Sequence, residues 1–185
     1  MKALNILDHY DTLFLDRDGT INRRIIDGYV TSWDDFEFLP GVLEAMYHIN
    51  KLFDPIIIVT NQQGIGKDIM THEELAMIHN QMVETIHKNH GRVDQIYYCP
   101  QLKIFNPLCR KPNPGMAIQA MEEFPQIQCE RSIMVGDADS DIEFGKNLGM
   151  LTVRINDPNL EINVPADITV NSLMEFWEYI NTSKK

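Results

Sequence analysis

Thr12-Leu13-Phe14-Leu15-Asp16-Arg17-Asp18-Gly19-Thr20 is the stretch from which the rest of this chain can be read. A threonine and three apolar residues run directly into two aspartates, with an arginine between them and a glycine after. A short unbroken apolar run of this kind reads as a strand buried on both faces, the habit of parallel sheets. The charged residues then lie beyond the carboxyl end of that strand, where open α/β sheets bind their ligands.

The same grammar recurs along the chain. Ile56–Val59, Gln95–Cys99, Ser132–Val135 and Leu151–Ile155 read as further strands, and Ile168–Val170 as an edge strand. Helical patterns lie between them. Gly41–Lys51 repeats apolar residues at Val42, Leu43, Met46 and Ile49, and Thr71–Asn89 at Leu75, Ile78, Met82 and Ile86. Thr71 followed by Glu74 is a capping-box signature. Pro114–Phe124 opens with proline at an expected first helical position, and Asp139–Leu148 ends at Gly149, an expected C′ glycine. Leu173–Ile180 reads as a closing helix, and Leu160–Pro165 as loop. Strand–helix alternation predicts an α/β three-layer sandwich with a mostly parallel, Rossmann-like sheet.

Composition narrows the partners. The chain has 185 residues, which at roughly 100–200 residues per domain predicts a single domain over 1–185. Lys+Arg number 16 against 27 Asp+Glu, a net charge of −11, which argues against nucleic-acid or anionic-membrane partners because phosphate backbones are held by Lys and Arg. Small anions need only a local cluster of cations and stay possible. Apolar runs such as Ile56–Val59 are far below the ~20 residues of a membrane helix. Met1–Tyr10 has no basic region followed by an apolar stretch, so no signal peptide is expected. Cys99, Cys109 and Cys129 are too few for a disulfide framework, and a reducing, cytoplasmic location is the default. A monomer or small homo-oligomer is expected.

The functional signal lies in the residues beyond each strand. After the first come Asp16 and Asp18; after the second, Thr60, Asn61, Gln62 and Gln63. The third leads into a loop ending Cys109-Arg110-Lys111-Pro112, and the fourth into Gly136-Asp137, with Asp141 beyond. Each feature alone has an ordinary explanation: a solvated turn, a strand end, a basic loop, or acidic residues against a helix dipole. Their recurrence beyond successive strands points to a site. Asp16, Asp18, Asp137 and Asp141 would crowd, and like charges in a partly dry site repel strongly unless a cation joins them. An all-oxygen set favours Mg²⁺. Mg²⁺, a lysine and neutral donors around an aspartate are the parts for phosphoryl transfer. By position Asp16 is the candidate nucleophile and Asp18 the general acid and base, with Thr20 able to fix the turn or Asp18.

The set Asp16-x-Asp18-Gly19-Thr20, Thr60, Lys111 and Gly136-Asp137-x-x-x-Asp141 resembles the four motifs of the haloacid dehalogenase (HAD) superfamily, over about residues 10–155. The resemblance implies an aspartyl-phosphate on Asp16, acid–base work by Asp18, and phosphoryl binding by Thr60 and Lys111. It implies Mg²⁺ held by Asp16, the Asp18 backbone carbonyl and Asp137, with Asp141 supporting or acting through water. Gly28-Tyr29-Val30, Val59-Thr60-Asn61-Gln62, Ile96–Pro100 and Cys109–Met116 narrow it to the histidinol-phosphatase-like branch, nearest the D,D-heptose 1,7-bisphosphate phosphatases. That implies removal of the C7 phosphate of heptose 1,7-bisphosphate, with Arg110 on the remaining phosphate and Asn61 and Gln62 at the substrate. The alternatives are histidinol phosphate as substrate and, from another class, a non-catalytic phosphate-binding protein on the same fold.

Two departures stand out. The branch often carries a structural zinc in the form Cys-x-His … Cys-x-Cys, but the four positions here read Cys99, Gln101, Pro107 and Cys109, so no structural Zn²⁺ is expected. Cys99 and Cys109 are then read as packed or spare thiols, a disulfide being disfavoured in cytosol. The loop at about 99–112 is expected to be held by packing of Leu102, Ile104, Phe105 and Leu108. The second departure is Ala138, where the heptose phosphatases often have lysine. The intervals between motifs leave no room for a cap domain, so a capless enzyme is expected, with a flap at about 20–40. Tyr29, Trp33 and Phe36 are equally readable as flap core or ligand contacts, Gln63 reads as a further contact, and Lys67 equally as a contact or a solvated lysine. His9, His48, His72, His79, His87 and His90 show no metal spacing, and surface positions are the better reading for His79 and His87.

Overall fold

The computed structural model describes residues 8–182, so most of the Met1–Tyr10 segment lies outside the described residues. Six strands form one sheet: β1 (Thr12–Leu15), β2 (Ile56–Asn61), β3 (Gln95–Cys99), β4 (Ser132–Gly136), β5 (Leu151–Ile155) and β6 (Ile168–Val170). Their order is β3-β2-β1-β4-β5-β6, and every neighbouring pair is parallel. The chain winds outward from β1 in one direction through β2 and β3, then returns to start β4 on its other side. The crevice at this reversal, beyond the carboxyl ends of β1 and β4, is where such a sheet binds its ligand.

Strand alternation divides the core. Leu13, Leu15, Ile56, Ile58, Ile133, Val135, Val153 and Ile155 face the larger cluster. There they meet α1 (Val42–Ile49), α2 (His72–Lys88) and α5 (Leu173–Thr182) through residues such as Met46, Ile78 and Phe176. Phe14, Ile57, Val59 and Met134 face the other layer, built from α3 (Gly115–Glu123) and α4 (Asp139–Asn147) through Met116, Ala117, Ala120 and Phe144. The three-layer sandwich results from apolar side chains on both faces of the sheet.

The helix ends show which local signals acted. The Thr71 hydroxyl accepts from Glu74 N at 3.1 Å while the Glu74 carboxylate accepts from Thr71 N at 2.7 Å, completing the capping box. Gly149 adopts φ +75°, and the amides of Gly149 and Met150 return to the Lys146 and Gly145 carbonyls, a Schellman closure. Pro114 corrects the expectation: it caps α3 from outside, and Gly115 is the first helical residue. The stretch expected as a flap, at about 20–40, goes out and back, with Arg23 N donating to Glu37 O and Leu39 N to Ile21 O. Between β2 and β3 the described chain holds α2 and loops, with no cap domain inserted.

The loop after β3 departs from expectation. Ile104, Phe105 and Leu108 are 83%, 71% and 64% exposed, so they do not pack the loop down. Cys99 and Cys109 are joined in a disulfide, their Cα atoms 5.2 Å apart, within the span such a bond requires. Asn113 Nδ2 adds bonds to the Asn106 side-chain oxygen and the Pro107 carbonyl, both at 2.9 Å. Covalent closure does the work assigned to apolar packing, because β3 ends where the loop returns. Cys129 is free and buried.

Candidate active site

Asp16 leaves β1 with its amide still bonded to Val135 O, so its carboxylate stands in the crevice between β1 and β4. Lys111 reaches it from the loop before α3: Nζ donates to Asp16 Oδ1 (2.7 Å) and to Val59 O (2.6 Å), and pairs with Asp141 Oδ1 (2.7 Å). Asp141 was expected to act as a support or through water. Its direct partners are Lys111 and, through Oδ2, the amide of Ala138 at 3.0 Å. Two glycines permit this crowding. Gly19 takes φ +94°, and a Cβ there would fall on the Asp137 carboxylate; a Cβ on Gly136 would fall on that of Asp141.

Asp16, Asp137 and Asp141 are buried, and one oxygen from each lies within 4.8 Å of the others. Burial pushes the Asp16 carboxyl up to about 7, with Asp141 and Asp137 adding to it and Lys111 opposing. Burial likewise pushes Asp137 up to about 6 despite Arg24. Such a cluster calls for positive charge, and Arg24 from the flap supplies it. Its guanidinium donates to Asp137 Oδ1 (2.7 Å) and Oδ2 (2.9 Å) and to the Asp18 carbonyl (2.8 Å), and approaches Asp16 Oδ2 at 3.9 Å. Those are the oxygens that the family resemblance assigns to Mg²⁺. A hard, all-oxygen donor set already gathered around one cationic group fits Mg²⁺. Arg24 belongs to none of the sequence motifs, and nothing in the sequence marks it.

Asp18 points elsewhere. Arg17 Nη2 donates to both its oxygens (2.7 and 2.9 Å), Asn22 Nδ2 to Oδ1 (2.9 Å) and Gln62 Nε2 to Oδ2 (2.8 Å). Burial disfavours its charge, but the Arg17 guanidinium and the other donors outweigh burial and hold the carboxyl below the usual range. The Thr20 hydroxyl fixes nothing: it is buried without a partner, and Asn22 takes the role expected of it. Gln62 also donates to Thr60 Oγ1 at 2.8 Å, tying the second motif to the first. Asn61 clasps the backbone of Lys111, its Nδ2 to the carbonyl (3.2 Å) and its Oδ1 from the amide (3.0 Å). Both ends of that amide are therefore occupied by the lysine it positions.

A cavity of about 620 Å³ opens over these groups. Asp16, Asp18, Thr60, Gln62 and Lys111 line its floor, with Arg110, Gln63 and Lys67 around them and Ile25–Val30 of the flap above. Arg110 Nη1 is buried without a partner. The flap aromatics divide. Tyr29 lines the cavity, with Lys67 Nζ 5.3 Å from its ring, whereas Trp33 stacks on Phe36 (ring centroids 4.9 Å apart) and both join the core. Asp157, Asn159 and Leu160 from the β5–β6 loop also line the cavity, without any motif to announce them. Arg154, buried beneath, bonds the Asp137 carbonyl at 2.6 Å and Asp139 at 2.7 Å, and no sequence signal marks it either.

Comparison with known proteins places this geometry in a family. The HAD-hydrolase-like family model matches residues 108–157. A D-glycero-beta-D-manno-heptose-1,7-bisphosphate 7-phosphatase of Photorhabdus laumondii is 37% identical, covering 94% of this chain and 96% of its own. A D-glycero-alpha-D-manno-heptose-1,7-bisphosphate 7-phosphatase of Mycobacterium bovis is 33% identical over 91% of this chain and 90% of its own. The crystal structure of the D,D-heptose 1,7-bisphosphate phosphatase from B. bronchiseptica, complexed with magnesium and phosphate, superposes with a TM-score of 0.85 at 25% identity, covering 93% of this chain and 98% of that one. With the α/β sheet, the aspartate pair at the end of β1 and the lysine facing it, these likenesses show that the chain is a phosphatase of the HAD-like heptose-1,7-bisphosphate 7-phosphatase family.

Proposed function

We propose that this enzyme removes the C7 phosphate of D-glycero-D-manno-heptose 1,7-bisphosphate, with Mg²⁺ held by Asp16, the Asp18 carbonyl and Asp137. The observation that carries the substrate is Arg110: its buried, unpartnered Nη1 belongs to a side chain lining the same cavity as Asp16 and Lys111. A substrate with a second phosphate gives that guanidinium its missing partner, and buried donors are rarely left unpaired. Histidinol phosphate, which offers a cationic group in place of a second phosphate, does not.

In this reading Asp16 Oδ attacks phosphorus, the bond to the sugar oxygen breaks, and Asp18 delivers the proton to that oxygen. Asp18 then takes a proton from the water that attacks the aspartyl-phosphate, releasing phosphate and restoring Asp16. Lys111 holds Asp16 and meets the phosphoryl oxygens, and Thr60 adds a hydroxyl beside them. Mg²⁺, when bound, supplies positive charge where the phosphoryl oxygens gain negative charge. Asp18 rests as a carboxylate, the form required for the second half of the cycle, and the proton that it delivers in the first half comes in with the substrate, from the monoanionic form of the phosphate. The two cysteines at the positions of the branch's zinc ligands are bonded to each other, which supports a loop without zinc. We place the enzyme in the cytoplasm on its few cysteines. The Cys99–Cys109 bond is the observation against that default, and thiol trapping in cells tests it.

The test is phosphate release with Mg²⁺ from both anomers of heptose 1,7-bisphosphate, from heptose 7-phosphate and from histidinol phosphate. The bisphosphate should lead in kcat/KM, and Arg110→Met should remove that lead while sparing the monophosphate. Equal kcat/KM on bisphosphate and histidinol phosphate would overturn the assignment.

A further inference from the structure

His79 is not a surface residue. It projects from the middle of α2 into the protein, 7% exposed, beneath a carboxylate it never touches. Its Nε2 lies 3.2 Å from Nη1 of Arg17. Arg17 is the residue between the two motif aspartates and is fully buried. Its Nη2 grips both oxygens of Asp18 and its Nε adds a third contact to Oδ1 at 3.2 Å. Three groups from two distant segments thus form a line: His79, Arg17, Asp18.

The chemistry of the line fixes the state of the histidine. A guanidinium has five N–H donors and no acceptor, so the contact requires a lone pair on Nε2 and places the imidazole proton on Nδ1. Burial, reinforced by the charge of Arg17, holds His79 down at about 3, so the ring stays neutral and able to accept. The guanidinium is planar, and its two ends are coupled: Nε and Nη2 face Asp18 while Nη1 faces His79. Fixing Nη1 fixes the plane from which Asp18 hangs.

We propose that His79 is a positioning residue for turnover: by accepting from Arg17 Nη1 it orients the guanidinium and, through it, the Asp18 carboxylate. This rests on the reading of Asp18 as the acid and base. An apolar side chain of similar size would fill the space of His79 but would leave Nη1 with no acceptor. The guanidinium would then turn to find one and carry Asp18 with it. Small misplacements of a reacting group cost up to about a hundredfold in rate.

The experiment compares His79→Leu, His79→Gln and Asp18→Asn with the wild type on the bisphosphate, with melting temperatures for each. The Gln side-chain oxygen stands near the position of Nε2 and can accept. His79→Leu should lower kcat about tenfold or more with KM changed less than about twofold, and His79→Gln should recover most of the loss. If His79 only packs, the order reverses, with Leu at least as active as Gln, and the proposal falls. Asp18→Asn separates the two levels. If it turns over normally, the role of Asp18 is wrong; if it is dead while His79→Leu is unchanged, only the positioning role is wrong. Nitrogen-15 NMR of the wild-type imidazoles, without substrate, covers the case of a Leu variant that does not fold. A buried histidine protonated on Nδ1 alone supports the line, and protonation on Nε2 overturns it.

Discussion

Arg24 holds two oxygens of Asp137 and the carbonyl of Asp18, so a metal ion reaching those atoms must displace a guanidinium. Binding of Mg²⁺ is then an exchange of one cation for another, and its affinity is reduced by the contacts given up. Arg24→Gln should bind Mg²⁺ more tightly, by on the order of tenfold, the worth of one charge-assisted hydrogen bond. Calorimetric titration of metal into protein without substrate measures it, and unchanged or weaker binding would count against the exchange. Asp16→Asn should lose turnover by roughly a thousandfold or more while melting no lower than the wild type, since a desolvated carboxylate is replaced by a neutral amide. Retention of most activity would sink the nucleophile. Motif residues are legible in the sequence because chemistry constrains their type and spacing. Arg24, His79 and Arg154 are not, because a lone arginine or histidine looks the same in sequence whether it is solvated or folded against a partner far along the chain.

The elements themselves are closely legible. β1, β3, β5 and β6 begin and end where the sequence pattern places them: β1 is buried at every position, and the two edge strands β3 and β6 are delimited by Asp94 and Pro100 and by Asp167 and Asn171. β2 and β4 each run past the expected end, into Asn61 and Gly136, since the sheet continues to pair as far as the site. The loop from Cys99 to Pro112 escapes the sequence pattern for a related reason: apolar residues are expected to seek cover, whereas a covalent link can hold a loop and leave them bare. Cys109→Ser should free this segment beside Arg110 and Lys111. KM should rise several-fold with kcat within about twofold, and stability should fall by about 2–3 kcal/mol. Wild type in reductant should behave the same way. Identical KM with the bond open would show that the link does not shape the substrate end of the site.

For the whole molecule, the charge of −11 is a poor guide to what binds, because Arg24, Arg110 and Lys111 concentrate cations within an acidic surface. Charge does govern stability. Asp16 and Asp137 have folded-state values raised from 3.8 to about 7 and about 6. A carboxyl raised on folding stabilises fully below its unfolded value, and that contribution is lost as pH rises through the folded value. Metal-free protein should therefore lose stability between about pH 4 and pH 7. Mg²⁺, which favours the ionised carboxylates, should raise the melting temperature more at pH 7.5 than at pH 5. Melting curves at the two pH values, with and without Mg²⁺, check this; a metal effect that is equal at both would contradict the buried carboxylate cluster.

The seam between β1 and β4 has one more consequence, in the order of biosynthesis. Thr12 pairs with Ser132 and Leu15 with Val135, across most of the chain, whereas β1 and β2 can pair much earlier. Contacts this distant are slow to close and wait for the segments between them. A nascent chain can therefore lay down β1, β2 and β3 while Asp16 still lacks Asp137 and Asp141. The acidic cluster comes into being when β4 pairs with β1, so retention of a divalent cation would mark a chain in which the two halves of the sheet have joined.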